Sequence, residues 1–191
     1  MTMIYHYTIG SKLTPIMEDG FIRTSPLKPD NGETPVVWLS SNENFELSAR
    51  KMAFIPSTQQ QRLLTVFEML KMAGGLVRYV FDKEQINAIS WAEAQLSIGM
   101  SKNKRGLLLK RSRMVGSKPK EWWVVPKSVS LSQAMRVEVC DEVDSNGKFI
   151  WKDIEAKNIQ RNQQQHIVSM TVDQLQKTVS LDMNKAWRNA N

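Results

Sequence analysis

The chain contains one cysteine, Cys140, among its 191 residues. A lone cysteine forms no internal disulfide, and no second thiol or histidine cluster lies beside it to complete a metal site. No apolar run approaches the roughly 18 residues that span a bilayer, and the first residues lack a basic stretch followed by an apolar signal core. The sequence therefore predicts a cytoplasmic protein with no membrane partner and no bound metal.

Several motifs of well-known enzyme classes are also missing. The sequence has no paired carboxylates, no metal-ligand spacing, no phosphate-binding glycine loop and no nucleophile elbow, which argues against the common hydrolases and nucleoside triphosphatases. Hydrophobic residues make up 41% and charged residues 24% of the chain. These fractions are typical of globular proteins, so we expect a folded domain and neither a disordered chain nor a coiled coil.

The excess of positive charge is concentrated in one segment. The net charge is +7, and residues 102–120 carry eight basic side chains and no acidic one. Clustered Lys and Arg bind phosphates by releasing condensed counterions, although a solvated segment that only keeps the protein soluble fits this charge equally well. Trp122 and Trp123 follow directly and favour contact with a nucleotide or nucleic acid. The candidate contacts with a nucleic acid or other acceptor are Lys110, Arg111, Arg113 and Lys118.

The hydrophobic periodicity predicts an α+β domain over residues 1–153. Strands are expected at 3–8, 21–23, 36–40, 76–81, 121–126, 135–140 and 148–151, and helices at 12–20, 42–50, 59–73 and 89–99. The first strand is expected to be central in the sheet. Residues 154–191 are polar and Gln-rich, and a capped helix is predicted from Thr171. This extension is either a helix docked onto the domain or a partly mobile tail, and the apolar ring of Trp187 favours docking.

Two residues within predicted strands have an unusual side chain for their position. His6 lies between two tyrosines, and alternation places it on the same face as Thr8. A structural histidine bonded to backbone is the more frequent role, and a catalytic base or ligand contact is the alternative. Arg78 interrupts an apolar strand, where it either pairs with a buried carboxylate or binds a pyrophosphate bidentately.

Three motifs follow one another in an order found in a known superfamily. They are Tyr-His-Tyr-Thr at 5–8, the spaced apolar residues and glycine at 13–22, and Val-Trp-Leu-Ser-Ser at 37–41. In this order the chain resembles the N-terminal half of the ADP-ribosyltransferase superfamily, which includes DNA-targeting toxins and tRNA 2′-phosphotransferases. A weaker similarity continues through 119–126 and 137–139, so the resemblance covers about residues 3–140. It implies a split β-sheet core with flanking helices that grips NAD.

The resemblance also implies roles for individual residues. His6 would hydrogen-bond the adenosine ribose of NAD, and a ring of the second motif would stack on nicotinamide. Glu121 would accept a hydrogen bond from the nicotinamide ribose and stabilise the positive charge that grows as the glycosidic bond breaks. The implied catalytic residues are thus His6 and Glu121, and the NAD contacts drawn from the resemblance and from the position of Arg78 are His6, Tyr7, Thr8, Gly10, Trp38, Ser40 and Arg78.

The sequence departs from the superfamily at two of these positions. Many members have Tyr where this chain has Trp38, and many have Gln or Glu where it has Pro119. Ordinary structural roles also remain open, because Glu121 is placed to pair with Lys118 or Lys120, and Trp38, like Trp122 and Trp123, suits core packing.

Two functions are therefore expected from the sequence. The first is an NAD-dependent mono-ADP-ribosyltransferase that modifies a macromolecular acceptor, either a nucleic acid or a protein. The second is a non-catalytic module of the same fold that uses its basic segment to bind nucleic acid or an acidic protein. A regulator of another protein is a third interpretation, which no particular residue supports.

Overall fold

A seven-stranded antiparallel sheet forms the centre of the structure, a computed structural model that describes residues 1–25, 32–55 and 59–154. The order of its strands is β11-β10-β6-β1-β3-β8-β7, and two short antiparallel pairs, β2-β9 and β4-β5, lie outside it. The strands are β1 (Met3–Ile9), β2 (Phe21–Ile22), β3 (Val37–Ser40), β4 (Met52–Ile55), β5 (Gln60–Leu63), β6 (Leu76–Asp82), β7 (Ile89–Ser90), β8 (Trp122–Val125), β9 (Val129–Ser130), β10 (Ala134–Cys140) and β11 (Lys152–Asp153).

Four short helices accompany the sheet, which confirms the predicted α+β class. They are α1 (Leu13–Asp19), α2 (Val66–Met72), α3 (Trp91–Ser97) and α4 (Lys102–Val115). Thr65 and Ser90 begin α2 and α3 with capping boxes, in which each side chain and a glutamate three residues later satisfy the end of the helix. The basic segment forms α4, which Ser101 caps and Gly116 ends in the left-handed conformation.

Strand β1 is the middle strand, as predicted, but it is held unequally on its two sides. Its ladder with β6 contains seven register pairs, from Met3 opposite Asp82 to Ile9 opposite Leu76. Its ladder with β3 contains one, Tyr5 opposite Ser40. The side of β1 that faces β3 is therefore only briefly paired, and this junction positions the candidate site.

Apolar side chains cover both faces of the sheet. One cluster is centred on Ile4, Tyr79 and Phe81, and α1 packs against it. A second, on Tyr5, Tyr7 and other residues that include Phe45 and Leu64, lies beneath α2. A third, around Trp91 and Trp122, joins α3 to β8. Alternation along β1 explains the division, because residues 4 and 5 point to opposite faces of the strand.

Three predicted elements differ from the structure. The helix expected at 59–73 is shorter, because β5 pairs with β4 before the capping box at Thr65 starts α2. The helix expected at 42–50 is a single 3₁₀ turn, Leu47–Ala49, which the Glu46 side chain caps. The strand expected at 148–151 is an isolated bridge between Val143 and Phe149, and pairing with β10 begins at Lys152. Strand pairing and side-chain capping decide these segments, and the propensities of the residues do not reveal them.

The compact unit Met1–Ile154 contains all of the described elements. The extension predicted at 154–191, with its helix from Thr171, lies outside the described residues apart from Ile154. No helix in the described ranges is long and apolar enough to cross a membrane.

We expect opposite effects from adding a methyl group at two glycines. A Cβ on Gly10 would lie 2.0 Å from the carbonyl oxygen of Gly74, whereas a Cβ on Gly106, within α4, would meet no atom within 4 Å. Gly10→Ala should lower the free energy of unfolding by about 2 kcal/mol through overpacking. Gly106→Ala should raise it by about 1 kcal/mol through helix propensity. Urea unfolding of both variants measures the difference, and an unchanged midpoint for Gly10→Ala would contradict the close approach of the two loops.

Candidate functional site

A cleft of about 420 Å³ lies beside the junction of β1 and β3. Residues of both strands line it, and the remaining walls come from Arg23, Ser25 and Val36, from the segment 46–51, from α4 and from the start of β8. This volume is within the range of small-molecule sites. Of the predicted NAD contacts, the structure brings four onto its lining, namely His6, Tyr7, Trp38 and Ser40.

His6 spans the junction between the two strands. Its Nδ1 lies 2.9 Å from the main-chain oxygen of Trp38. Burial lowers the pKa of His6 to about 4, the hydrogen bond with Trp38 opposes this, and the charge of Lys51 adds to it. The ring is therefore neutral at pH 7, and since a carbonyl oxygen only accepts, the proton is on Nδ1. Nε2 consequently carries a lone pair and can accept a hydrogen bond.

We expect His6 to make the stability of the protein depend on pH. Its pKa is about 4 in the folded protein and 6.5 for an unperturbed histidine, so between these pH values the unfolded chain binds a proton that the folded chain does not. Stability is thus lost as the pH falls through this window. Between pH 7 and pH 5 the wild type should lose about 2 kcal/mol more than His6→Gln. Urea unfolding at both pH values tests this, and equal losses in the two proteins would contradict a neutral, buried ring.

Glu46 is a buried carboxylate in the wall of the cleft, and its place in the site was not predicted from the sequence. Its Oε2 accepts from the Ser40 hydroxyl at 2.9 Å. Its Oε1 accepts from the main-chain N–H and hydroxyl of Ser48, at 3.0 and 2.7 Å, and from the hydroxyl of Ser117. Ser117 in turn accepts from the Trp122 indole at 3.0 Å. The carboxylate therefore ties β3, the 3₁₀ turn and the end of α4 together.

Three tryptophans pack together behind this wall. The ring centroid of Trp38 lies 5.1 Å from that of Trp91 and 5.9 Å from that of Trp122, the latter contact being edge to face. Trp91 and Trp122 are buried, whereas Trp38 is partly exposed to the cleft. Core packing accounts for Trp122. Trp38 both packs in the cluster and offers the cleft an aromatic surface.

Positive side chains dominate the charge of the lining. Arg23, Arg50 and Lys51 contribute to it, whereas Glu46 is the one acidic residue that the described part of the chain places there. Arg23 is largely exposed and pairs with Asp19. Burial lowers the pKa of Lys51, and the nearby charge of Lys12 lowers it further. The cleft therefore favours an anionic ligand.

Glu121, the predicted catalytic carboxylate, is not part of the cleft lining. It directly precedes Trp122, and its main-chain oxygen accepts from the N–H of Ser41 at 2.8 Å. One carboxylate oxygen lies 3.7 Å from the Lys118 ammonium, as expected from their spacing. The other oxygen is buried and has no hydrogen-bond partner among the described residues. An unsatisfied carboxylate oxygen is costly, which makes this group a candidate for contact with a ligand.

The other three predicted NAD contacts, Thr8, Gly10 and Arg78, lie away from the cleft and contact other parts of the fold. Thr8 is buried within the sheet, and the N–H of Gly10 donates to the carbonyl oxygen of Gly75 at 3.0 Å. Arg78 is buried and pairs with Glu138, and its guanidinium lies over the rings of two aromatic side chains. The structure thus shows the pairing of Arg78 with a buried carboxylate, and it places none of these three on the lining of the cleft.

Helix α4 presents its positive charge to solvent beside the cleft. Its inner side contributes Leu108 to the cleft lining and to the packing around the tryptophans. The predicted contacts with an acceptor, Lys110, Arg111 and Arg113 within the helix and Lys118 after it, are all exposed. The structure therefore places a basic helix face next to the cleft.

Sequence reasoning missed three residues of the site: Glu46, Arg50 and Lys51. The two adjacent basic residues at 50 and 51 are visible in the sequence, but the basic run after residue 101 is longer and is the stronger signal of positive charge. The role of Glu46 was not visible, because one of its partners, Ser117, is 71 residues away in the chain.

Comparison of the chain with protein-family models, with curated proteins and with solved structures finds no match, so its function has to be argued from the geometry of this cleft.

Proposed function

We propose that the protein is an NAD-dependent ADP-ribosyltransferase that breaks the bond between nicotinamide and ribose and transfers ADP-ribose to a macromolecule. The observation that carries this proposal is the neutral His6 in the cleft. With Nδ1–H donating to Trp38, Nε2 is an acceptor, and a ribose hydroxyl is a suitable donor. Trp38, on the same lining, supplies an aromatic surface for a planar ring of the ligand.

Glu121 supports the chemical step of this proposal. As the C1′–N bond breaks, its electron pair leaves with nicotinamide, and positive charge develops on the ribose. A fixed carboxylate near that charge stabilises the transition state more than the ground state. The unsatisfied oxygen of Glu121 suits this role once the side chain turns from its buried position toward the cleft, where it can accept a hydrogen bond from the ribose 2′-hydroxyl. The acceptor then bonds to C1′ and loses a proton.

Helix α4 supports an anionic acceptor. It carries six basic side chains and no acidic one over 14 residues, and Leu108 fixes it against the cleft. A nucleic acid could bind to its exposed basic side chains, Lys110, Arg111 and Arg113. Such a contact gains most of its affinity from phosphates.

The experiment that tests the proposal is release of nicotinamide from NAD by the purified chain, alone and with DNA, RNA or cell lysate. We expect the wild type to release nicotinamide in the presence of its acceptor. We expect His6→Ala to lower kcat/KM for NAD by about tenfold or more. A matched control is His166→Ala, which changes the other histidine. Absence of both NAD binding and nicotinamide release under all of these conditions would refute the enzyme.

A second candidate function is that of a basic binding module without catalysis, and the charge of α4 is the observation that favours it. In that case Arg111→Glu combined with Arg113→Glu should abolish nucleic-acid binding, whereas Lys71→Glu, an exposed change elsewhere, should have little effect. Binding should also weaken steeply with salt. Nucleic-acid binding that survives the double reversal would exclude α4 as the contact surface.

A further inference from the structure

Two consecutive cations, Arg50 and Lys51, are mounted on the wall of the cleft by their contacts with Leu64. The Arg50 Nε donates to the main-chain oxygen of Leu64 at 2.7 Å. The N–H of Leu64 donates to the main-chain oxygen of Lys51 at 2.8 Å. Leu64 is itself buried in the apolar cluster beneath α2. These hydrogen bonds hold the segment that carries both cations, and both side chains contribute to the cleft lining.

The charge of these two side chains is not balanced within the cleft. Among the described residues, Glu46 is the one acidic side chain on the lining, and its oxygens already accept from three serines. The ion pairs between described residues include neither Arg50 nor Lys51. Withdrawing a cation from water without a counter-charge is costly, and an anionic ligand recovers that cost.

We propose that Arg50 and Lys51 form the subsite for the diphosphate group of the substrate. This inference rests on the proposed function, because the diphosphate of NAD joins the adenosine ribose, expected at His6, to the nicotinamide ribose. Guanidinium binds two phosphate oxygens in a planar fork, and ammonium adds a compact charge. The subsite assigns diphosphate recognition to these residues, and Arg78 is left to its buried pair with Glu138.

The test is binding of inorganic pyrophosphate to the full chain by titration calorimetry. We expect Lys51→Met and Arg50→Gln each to weaken binding by about tenfold, since each removes a charge-assisted contact. Lys51→Arg should retain most of the affinity. Lys71→Met, which removes an exposed lysine from α2, is the matched control and should bind like the wild type. Circular dichroism establishes that each variant is folded.

The outcomes separate the subsite from the proposed enzyme. No pyrophosphate binding by the wild type, or binding that both variants retain, overturns the subsite. Binding that needs both cations, in a chain that never releases nicotinamide, supports a diphosphate subsite and refutes the transferase. If Lys51→Met and Arg50→Gln both release nicotinamide with an unchanged KM for NAD, the transferase is supported and the subsite is overturned.

Discussion

Glu121→Gln should lower the rate of nicotinamide release from NAD by about 100-fold or more, with little change in the affinity for NAD. A preorganised group that acts on developing charge is typically worth about 3 to 4 kcal/mol in the transition state. Gln keeps the shape and the hydrogen-bonding oxygen of the side chain but removes the negative charge. Single-turnover kinetics and NAD binding, measured separately, locate the loss in the chemical step.

The control for this variant is Glu84→Gln, which makes the same change on an exposed side chain and should leave the rate unaltered. A rate that survives Glu121→Gln would remove this residue from catalysis. A rate lost equally in Glu84→Gln would point to general instability.

Arg78→Met should lower the free energy of unfolding by about 3 to 5 kcal/mol, because it leaves Glu138 as a buried charge with less compensation. The Arg78 guanidinium bonds to Glu138 and to the main-chain oxygen of Glu43. It also lies 4.6 Å from the ring centroid of Tyr5 and 4.3 Å from that of Trp151. One substitution thus removes an ion pair, a hydrogen bond and two ring contacts. Chemical denaturation measures the loss.

Arg136→Met is the matched control, because Arg136 pairs with the same carboxylate at 2.8 Å but its side chain is 38% exposed. Its loss should cost less than about 1 kcal/mol. The double variant Arg78→Met with Glu138→Leu should regain much of the stability, since no unpaired charge remains. If Arg78→Met is as stable as the wild type and instead loses NAD affinity, the guanidinium serves the ligand and not the fold.

Much of the fold was predictable where a strand or helix has strong local signals. The β-rich run at 3–8 predicted β1, and Gly20, now in the left-handed conformation, predicted the end of α1. The helix expected at 59–73 was too long, because the residues before Thr65 pair with β4. A helical pattern that contains Leu63 and Leu64 does not reveal a partner strand, and tertiary pairing overrides such a weak signal.

The site was predictable in part for a related reason. His6, Tyr7, Trp38 and Ser40 lie in short motifs, and the structure places all four on one cleft. Gly10, two residues after the first motif, is not on the lining, and the close approach of Gly74 requires a glycine there. Glu46, in contrast, depends on hydroxyls from three separate segments. A sequence displays neighbours along the chain, and a buried polar network is built from neighbours in space.

The single register pair between β1 and β3 divides the sheet into two ribbons, which only this pair joins. One ribbon comprises β11, β10, β6 and β1, and the other comprises β3, β8 and β7. Few backbone bonds secure the join, so hydrogen exchange there proceeds through small local openings. A ligand bound in the cleft would contact both ribbons and hold them together. Part of its binding free energy would then go into suppressing the local openings. Slower exchange at Tyr5 and Ser40 would then report occupancy of the cleft without any turnover.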